Sequence, residues 1–105
     1  MITIRRTHYP ALGKQRELQR LLEERVRSQQ NAGVRMSLGR QLFSSEGPRL
    51  VTTTFYESLA AAEKGMERTQ SASEFPAYLQ RVAELSERAS TQEVFEVVIS
   101  PQPAS

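Results

Sequence analysis

The chain has a single histidine, and it stands two residues after an arginine in Arg6-Thr7-His8, near the end of an alternating run. On an extended strand, residues two apart share a face. Arg6 and His8 therefore project to one side. An unperturbed imidazole titrates at about pH 6.5 and, when neutral, can take or relay a proton from an acidic carbon or hydroxyl. A guanidinium beside it can hold the resulting enolate, or a carboxylate, through its fork of donors. Tyr56 ends a later strand, and with that strand taken as parallel to the first, its phenol is expected beside His8. His8 and Tyr56 are thus the candidate catalytic pair. Arg6, Arg40 and Tyr78 are candidate ligand contacts. The competing reading makes His8 a hydrogen-bonded strand residue and lets Arg6 extend its stem across the sheet, with no chemistry at all.

Arg40 interrupts an apolar strand face and, if buried, needs an acidic partner, for which Glu96 is the expected group. Tyr78 falls on the apolar side of its helix, so it reads as a core aromatic with its hydroxyl at the rim. One histidine, scattered carboxylates and no cysteine offer no ligand set for a metal. No glycine-rich loop precedes a helix to cradle phosphate. No cofactor is expected.

These residues must be positioned by a small number of elements. Residues 2–9 alternate, with β-branched residues early and Pro10 closing the run, as in a strand. From residue 14 to about 30, Leu18, Leu21, Leu22 and Val26 recur at helical spacing, with Glu23 four before Arg27, and Asn31-Ala32-Gly33 supplies a stop. Residues 34–42 alternate again and run into the turn-rich stretch 44–48. Residues 50–56 are the segment densest in β-branched and aromatic side chains, so the pair reads as a hairpin, with Gly39 marking a bulge or a close backbone approach. Ser58 can cap a helix burying Leu59, Ala62 and Met66. That helix fails around 69–73 and a second piece is expected from about 73 to 89, with Pro76 in its first turn and Glu84 four before Arg88. A last strand is expected over 94–99 and a flexible tail over 100–105.

The order strand, helix, strand, strand, helix, strand is the split βαβ unit of an α+β, ferredoxin-like βαββαβ sandwich: one four-stranded sheet, two helices covering one of its faces, and the second helix broken into two pieces. Residues 1–99 are expected to form one domain. Both parities of the later strands carry large apolar residues, which predicts that the open sheet face is covered too, by a second copy in a homodimer.

The chain resembles the dimeric α+β barrel superfamily, the ferredoxin-like group that includes NIPSNAP-like and antibiotic-biosynthesis-monooxygenase-like domains. Element order carries the resemblance over nearly the whole chain. Locally, Ile4-Arg5-Arg6-Thr7-His8 followed by Gly13-Lys14 looks like the NIPSNAP-like opening strand and helix start, and Phe55-Tyr56-Glu57-Ser58-Leu59-Ala60-Ala61 looks like its strand-to-helix stretch. The resemblance implies a pocket between helices and sheet or within a joint barrel. Its members include cofactor-free oxygenases, isomerases, decarboxylases, haem-degrading enzymes and proteins of no known activity. The haem-degrading members pair a histidine with an Asn and a Trp, and this chain has no Trp.

Two functions follow as expectations. One is a small-molecule-binding protein or cofactor-independent enzyme, monooxygenase- or isomerase-like, acting on a small, largely apolar ligand with one ionisable oxygen. That reading requires a cavity. The alternative is a non-catalytic homodimerisation module whose interior is filled by side chains. Nucleic-acid binding is not expected, because the charge is mixed, with 14 Lys and Arg against 12 Asp and Glu, and the central strands lack a pair of stacking aromatics. No apolar run nears the roughly 18 residues a membrane span needs, and the opening lacks a secretory pattern. A cytoplasmic location is expected.

Overall fold

The computed structural model describes residues 1–43, 45 and 47–101 of the chain. In order, it contains β1 (Ile2–Pro10), α1 (Gln15–Asn31), β2 (Arg35–Arg40), β3 (Leu50–Tyr56), α2 (Leu59–Ser71), α3 (Phe75–Glu84) and β4 (Ser86–Glu96). The strands form one sheet in the order β2-β3-β1-β4, and every neighbouring pair is antiparallel. This is the expected ferredoxin-like sandwich with its second helix in two pieces.

Local chemistry explains most boundaries. Gly33, at φ +89°, follows α1 in the left-handed region that an L side chain rarely enters. Ser58 caps α2 by accepting the Ala61 N–H at 3.1 Å. Pro76 sits in the first turn of α3, where its missing N–H leaves no helical bond unmade.

The register assigns the faces. Ile2, Ile4, Arg6 and His8 lie opposite Tyr56, Thr54, Thr52 and Leu50, and the last three of these pair in turn with Met36, Leu38 and Arg40 beyond. This is the helix-covered face. It holds two apolar clusters: Leu18, Leu22, Leu50, Val82 and Leu85, with Leu38 and Tyr78 packed on them, and Ile2, Ile4 and Ala62, with Tyr56 and Met66. Each fully buried leucine contributes roughly 1.5–3 kcal/mol by leaving water.

Several expectations are corrected. The helix predicted to reach residue 89 ends at Glu84, and residues 86–93, predicted helical or unassigned, are strand. Tertiary pairing outweighs helix preference there: Ser86, Arg88, Thr91 and Gln92 supply backbone partners to Pro10, Tyr9, Thr7 and Arg6. Glu84 consequently pairs with Arg81, at 3.1 Å, in the previous turn. Likewise Glu23 takes a hydrogen bond from Gln19.

β4 stops at Glu96, before Val98 and Ile99, which are exposed. Leu59, expected in the core, is the first residue of α2 and is 56% exposed. Gly39 sits in an unbroken β2–β3 ladder with only ordinary contact to its neighbour strand, so it marks no bulge. The irregularity lies instead in β1–β4, between Thr7 and Pro10.

The open face is also less apolar than expected. Met36 and Leu38 turn toward the helices, leaving Thr3, Arg5, Thr7, Ser37, Thr53 and Glu93 around Val51, Phe55 and Phe95. The predicted turn over 44–48 and tail over 100–105 lie partly outside the described residues. None of the helices among the described residues is long and apolar enough to cross a membrane.

Candidate functional site

Between the two apolar clusters the helix-covered face becomes polar. β1 places Arg6 and His8 there, β3 places Thr52 and Thr54, and α1 continues its Leu18-Leu22 stripe one turn further with Arg25 and Gln29. Polar groups of this size cannot close the gap as leucines do. A cavity of about 150 Å³ remains. Ile4, Met36 and Met66 form its apolar wall, Phe75 and Tyr78 of α3 its aromatic wall, and Tyr56 lies at its far end.

Of the sequence-predicted site residues, Arg6, His8, Tyr56 and Tyr78 all line this cavity, and Arg40 does not. Arg40 lies beyond the Leu38–Leu50 wall on edge strand β2. Its expected partner Glu96 belongs to β4, the opposite edge of the sheet, so the pairing does not exist. The predicted adjacency of His8 and Tyr56 is corrected too. β3 runs antiparallel to β1, His8 pairs with Leu50, and Tyr56 pairs with Ile2 six residues away. At strand spacing their backbones stand about 20 Å apart. The phenol and the imidazole line opposite ends of one cavity.

At the His8 end, the imidazole is 3% exposed and its Nδ1 is buried without a hydrogen-bond partner. Such an orphan costs about 1–3 kcal/mol and is uncommon in a native interior. Burial first, and the nearby Arg6 guanidinium second, push the His8 pKa down from 6.5 to about 4. His8 is therefore neutral at neutral pH. Arg6 donates to the Oε1 of Gln92, its cross-strand partner on β4, which fixes the direction of the guanidinium.

On the helical side, Arg25 lies over the ring of Tyr78 at 5.0 Å and that of Phe75 at 5.8 Å, a cation–π arrangement. The two rings stand 6.2 Å apart. Burial raises the Tyr78 pKa, opposed by the charges of Arg25 and Arg6, so the phenol stays protonated and can donate.

Arg25, Gln29, Thr52, Thr54 and Gln92 were missed from the sequence. Arg25 and Gln29 did carry a signal: the spacing 18, 22, 25, 29 keeps them on the buried stripe, and a charge on that stripe needs a reason. Gln92 carried none, because it was not read as strand. Among the described residues no group of acidic, His or Cys side chains could hold a metal.

No known protein-family profile matches the chain, and no curated protein matches it in sequence. Solved structures do match it in shape. A NIPSNAP domain protein from Burkholderia xenovorans superposes with a TM-score of 0.75 at 16% identity, covering 97% of this chain and 100% of its own. A candidate antibiotic biosynthesis monooxygenase from Deinococcus radiodurans superposes at 0.75 with 13% identity over 100% of both chains. SnoaB, a cofactor-independent oxygenase from Streptomyces nogalater, superposes at 0.66 with 13% identity over 94% of each. The chain accordingly has the fold of the NIPSNAP and antibiotic-biosynthesis-monooxygenase-like proteins, the group that its element order resembles.

Proposed function

We propose that the chain binds a small, largely apolar molecule with one ionisable oxygen in the cavity between helices and sheet, and acts on it without a cofactor, as a monooxygenase- or isomerase-like enzyme. The observation that carries this reading is the cavity itself, with the buried imidazole in its wall and that ring's Nδ1 without a partner. A homodimerisation module with no chemistry would have filled that space with side chains. The likeness to a cofactor-independent oxygenase supports the same direction.

In this mechanism neutral His8 accepts a proton from an acidic carbon or hydroxyl of the ligand, and Arg6 stabilises the oxyanion that forms. A base whose empty-site pKa is about 4 holds that proton weakly, and the new oxyanion beside it raises its affinity. The proton then returns to another ligand carbon in an isomerisation. In the oxygenase alternative dioxygen is the co-substrate: the deprotonated ligand carbon forms a C–O bond to it and takes up the proton as a hydroperoxide. Loss of the second hydrogen on that carbon, with cleavage of the O–O bond, leaves a ligand carbonyl and releases the other oxygen as water. Tyr78 donates to the bound oxygen, and Tyr56 contacts the apolar end.

The same reading includes a homodimer through the open sheet face, where Val51, Phe55 and Phe95 provide apolar area and Arg5 and Glu93, 3.5 Å apart, an ion pair at the surface. Sedimentation velocity reports the subunit number.

A fragment screen followed by protein NMR tests the binding proposal. Hits are expected to shift the amides of Thr52, Thr54 and Tyr78, and His8→Gln to weaken them at least tenfold with the fold retained. A screen in which no fragment perturbs these amides at millimolar concentration removes the reading.

A further inference from the structure

The charge inside the cavity is unbalanced. Arg6 and Arg25 both line it, and none of the described residues that line it is acidic. Among the described residues the ion pairs join Arg5, Lys14, Arg35 and Arg81 to carboxylates, and none involves Arg6 or Arg25. His8 adds no charge near neutral pH. Two half-buried guanidiniums thus face a cavity of about 150 Å³ with no anion of the protein's own, an arrangement that favours an anionic occupant.

The oxyanion of the proposed reaction accounts for one of them. Arg6 sits on the His8 strand face and its charge is felt by the imidazole, so Arg6 is the group beside the reacting oxygen. Arg25 enters from α1 across the rings of Phe75 and Tyr78 and remains unmatched unless the ligand brings a second, permanent negative charge. A planar carboxylate suits it, since the guanidinium fork offers parallel donors to two oxygens. Size restricts the rest of the molecule: about 150 Å³ is the volume that one benzene-sized ring fills.

We propose that Arg25 is a specificity-determining residue that binds a permanent carboxylate on a single-ring ligand, with the ring against Phe75 and Met66 and the reacting oxygen toward Arg6 and His8. The proposal rests on the cavity being a ligand site, as above. It adds the ligand's charge and size, and a residue that selects them.

Isothermal titration with benzoate and with benzamide, its neutral isostere, tests it near neutral pH on the intact chain. Benzoate is expected to bind roughly tenfold or more tightly than benzamide, the usual effect of one charge-assisted pair. Arg25→Gln should weaken benzoate far more than benzamide and so abolish most of that preference, and Arg25→Lys, keeping the charge without the fork, should retain part of it. Added salt should weaken benzoate and not benzamide. This reads the charge on the unaltered protein even where a variant does not fold.

Equal or tighter binding of benzamide overturns the charge inference and leaves the cavity reading intact. A benzoate preference that survives Arg25→Gln overturns the assignment to Arg25. Failure of both compounds to bind overturns this proposal, and the fragment screen decides separately whether the cavity binds anything.

Discussion

Gly65 of α2 leaves the space that Tyr56 occupies. A methyl group on Gly65 would stand 2.5 Å from the Tyr56 hydroxyl oxygen and 2.6 Å from its Cε1, well inside contact distance. The glycine is buried, and the ring it admits forms the far end of the cavity. Replacing Gly by Ala inside a helix ordinarily stabilises by about 0.5–1 kcal/mol. Here overpacking of about 1–3 kcal/mol opposes it, so Gly65→Ala is expected to lower the melting temperature. In a Tyr56→Ala background the same change should raise it. The double-mutant cycle measures both; a Gly65→Ala that stabilises the unaltered background sinks the claim.

Stability should depend on pH through His8. Its folded pKa, about 4, lies below the ordinary 6.5, so the unfolded chain binds the proton more tightly. The contribution is fully present above about pH 6.5 and is lost as pH falls toward 4. The shift corresponds to about 3 kcal/mol across that window. Urea denaturation at pH values between 7.5 and 4 should show this slope, and His8→Gln should flatten it. An imidazole that titrates near 6.5 by NMR would contradict the burial described.

Gln92 accepts the hydrogen bond of the Arg6 guanidinium across β1 and β4. Gln92→Ala removes the acceptor of the Arg6 guanidinium at an exposed position, so stability should change by no more than about 0.5 kcal/mol. Affinity for an anionic ligand should fall several-fold because Arg6 is no longer oriented. Titration calorimetry beside thermal melting separates the two effects, and an unchanged affinity would remove the positioning role.

Two leucines with the same helical pattern should behave oppositely. Leu18 is fully buried against Leu22, Leu50 and Leu85, and Leu59 is 56% exposed. Leu18→Ala is expected to cost about 2–5 kcal/mol, and Leu59→Ala under about 1 kcal/mol. Chemical denaturation of both variants checks the assignment of the core.

The legible parts of the molecule were those set by local pattern. The alternation of residues 2–9, the Leu18-Leu22-Val26 stripe, the Ser58 cap and the glycine at 33 act through neighbouring backbone, so they could be read one segment at a time. Element order then sufficed for the ferredoxin-like sandwich. Arg6 and His8 were legible as a pair for the same reason, since two residues apart on one strand is a local relationship.

Direction, register and edges belong to the tertiary structure. Whether Tyr56 meets His8 depends on β3 running antiparallel to β1, which is a property of the whole sheet. Whether residues 86–93 are helix or strand depends on β1 needing backbone partners along its length, a demand that local helix preference does not register. Arg25 comes to line the cavity because α1 lays it across Phe75 and Tyr78, some fifty residues later in the chain. The sequence alone determined which segments form and which side chains share a strand face, through short-range sterics and periodicity. The cavity, its two unmatched arginines and the lowered His8 pKa arise only where distant segments exclude water together.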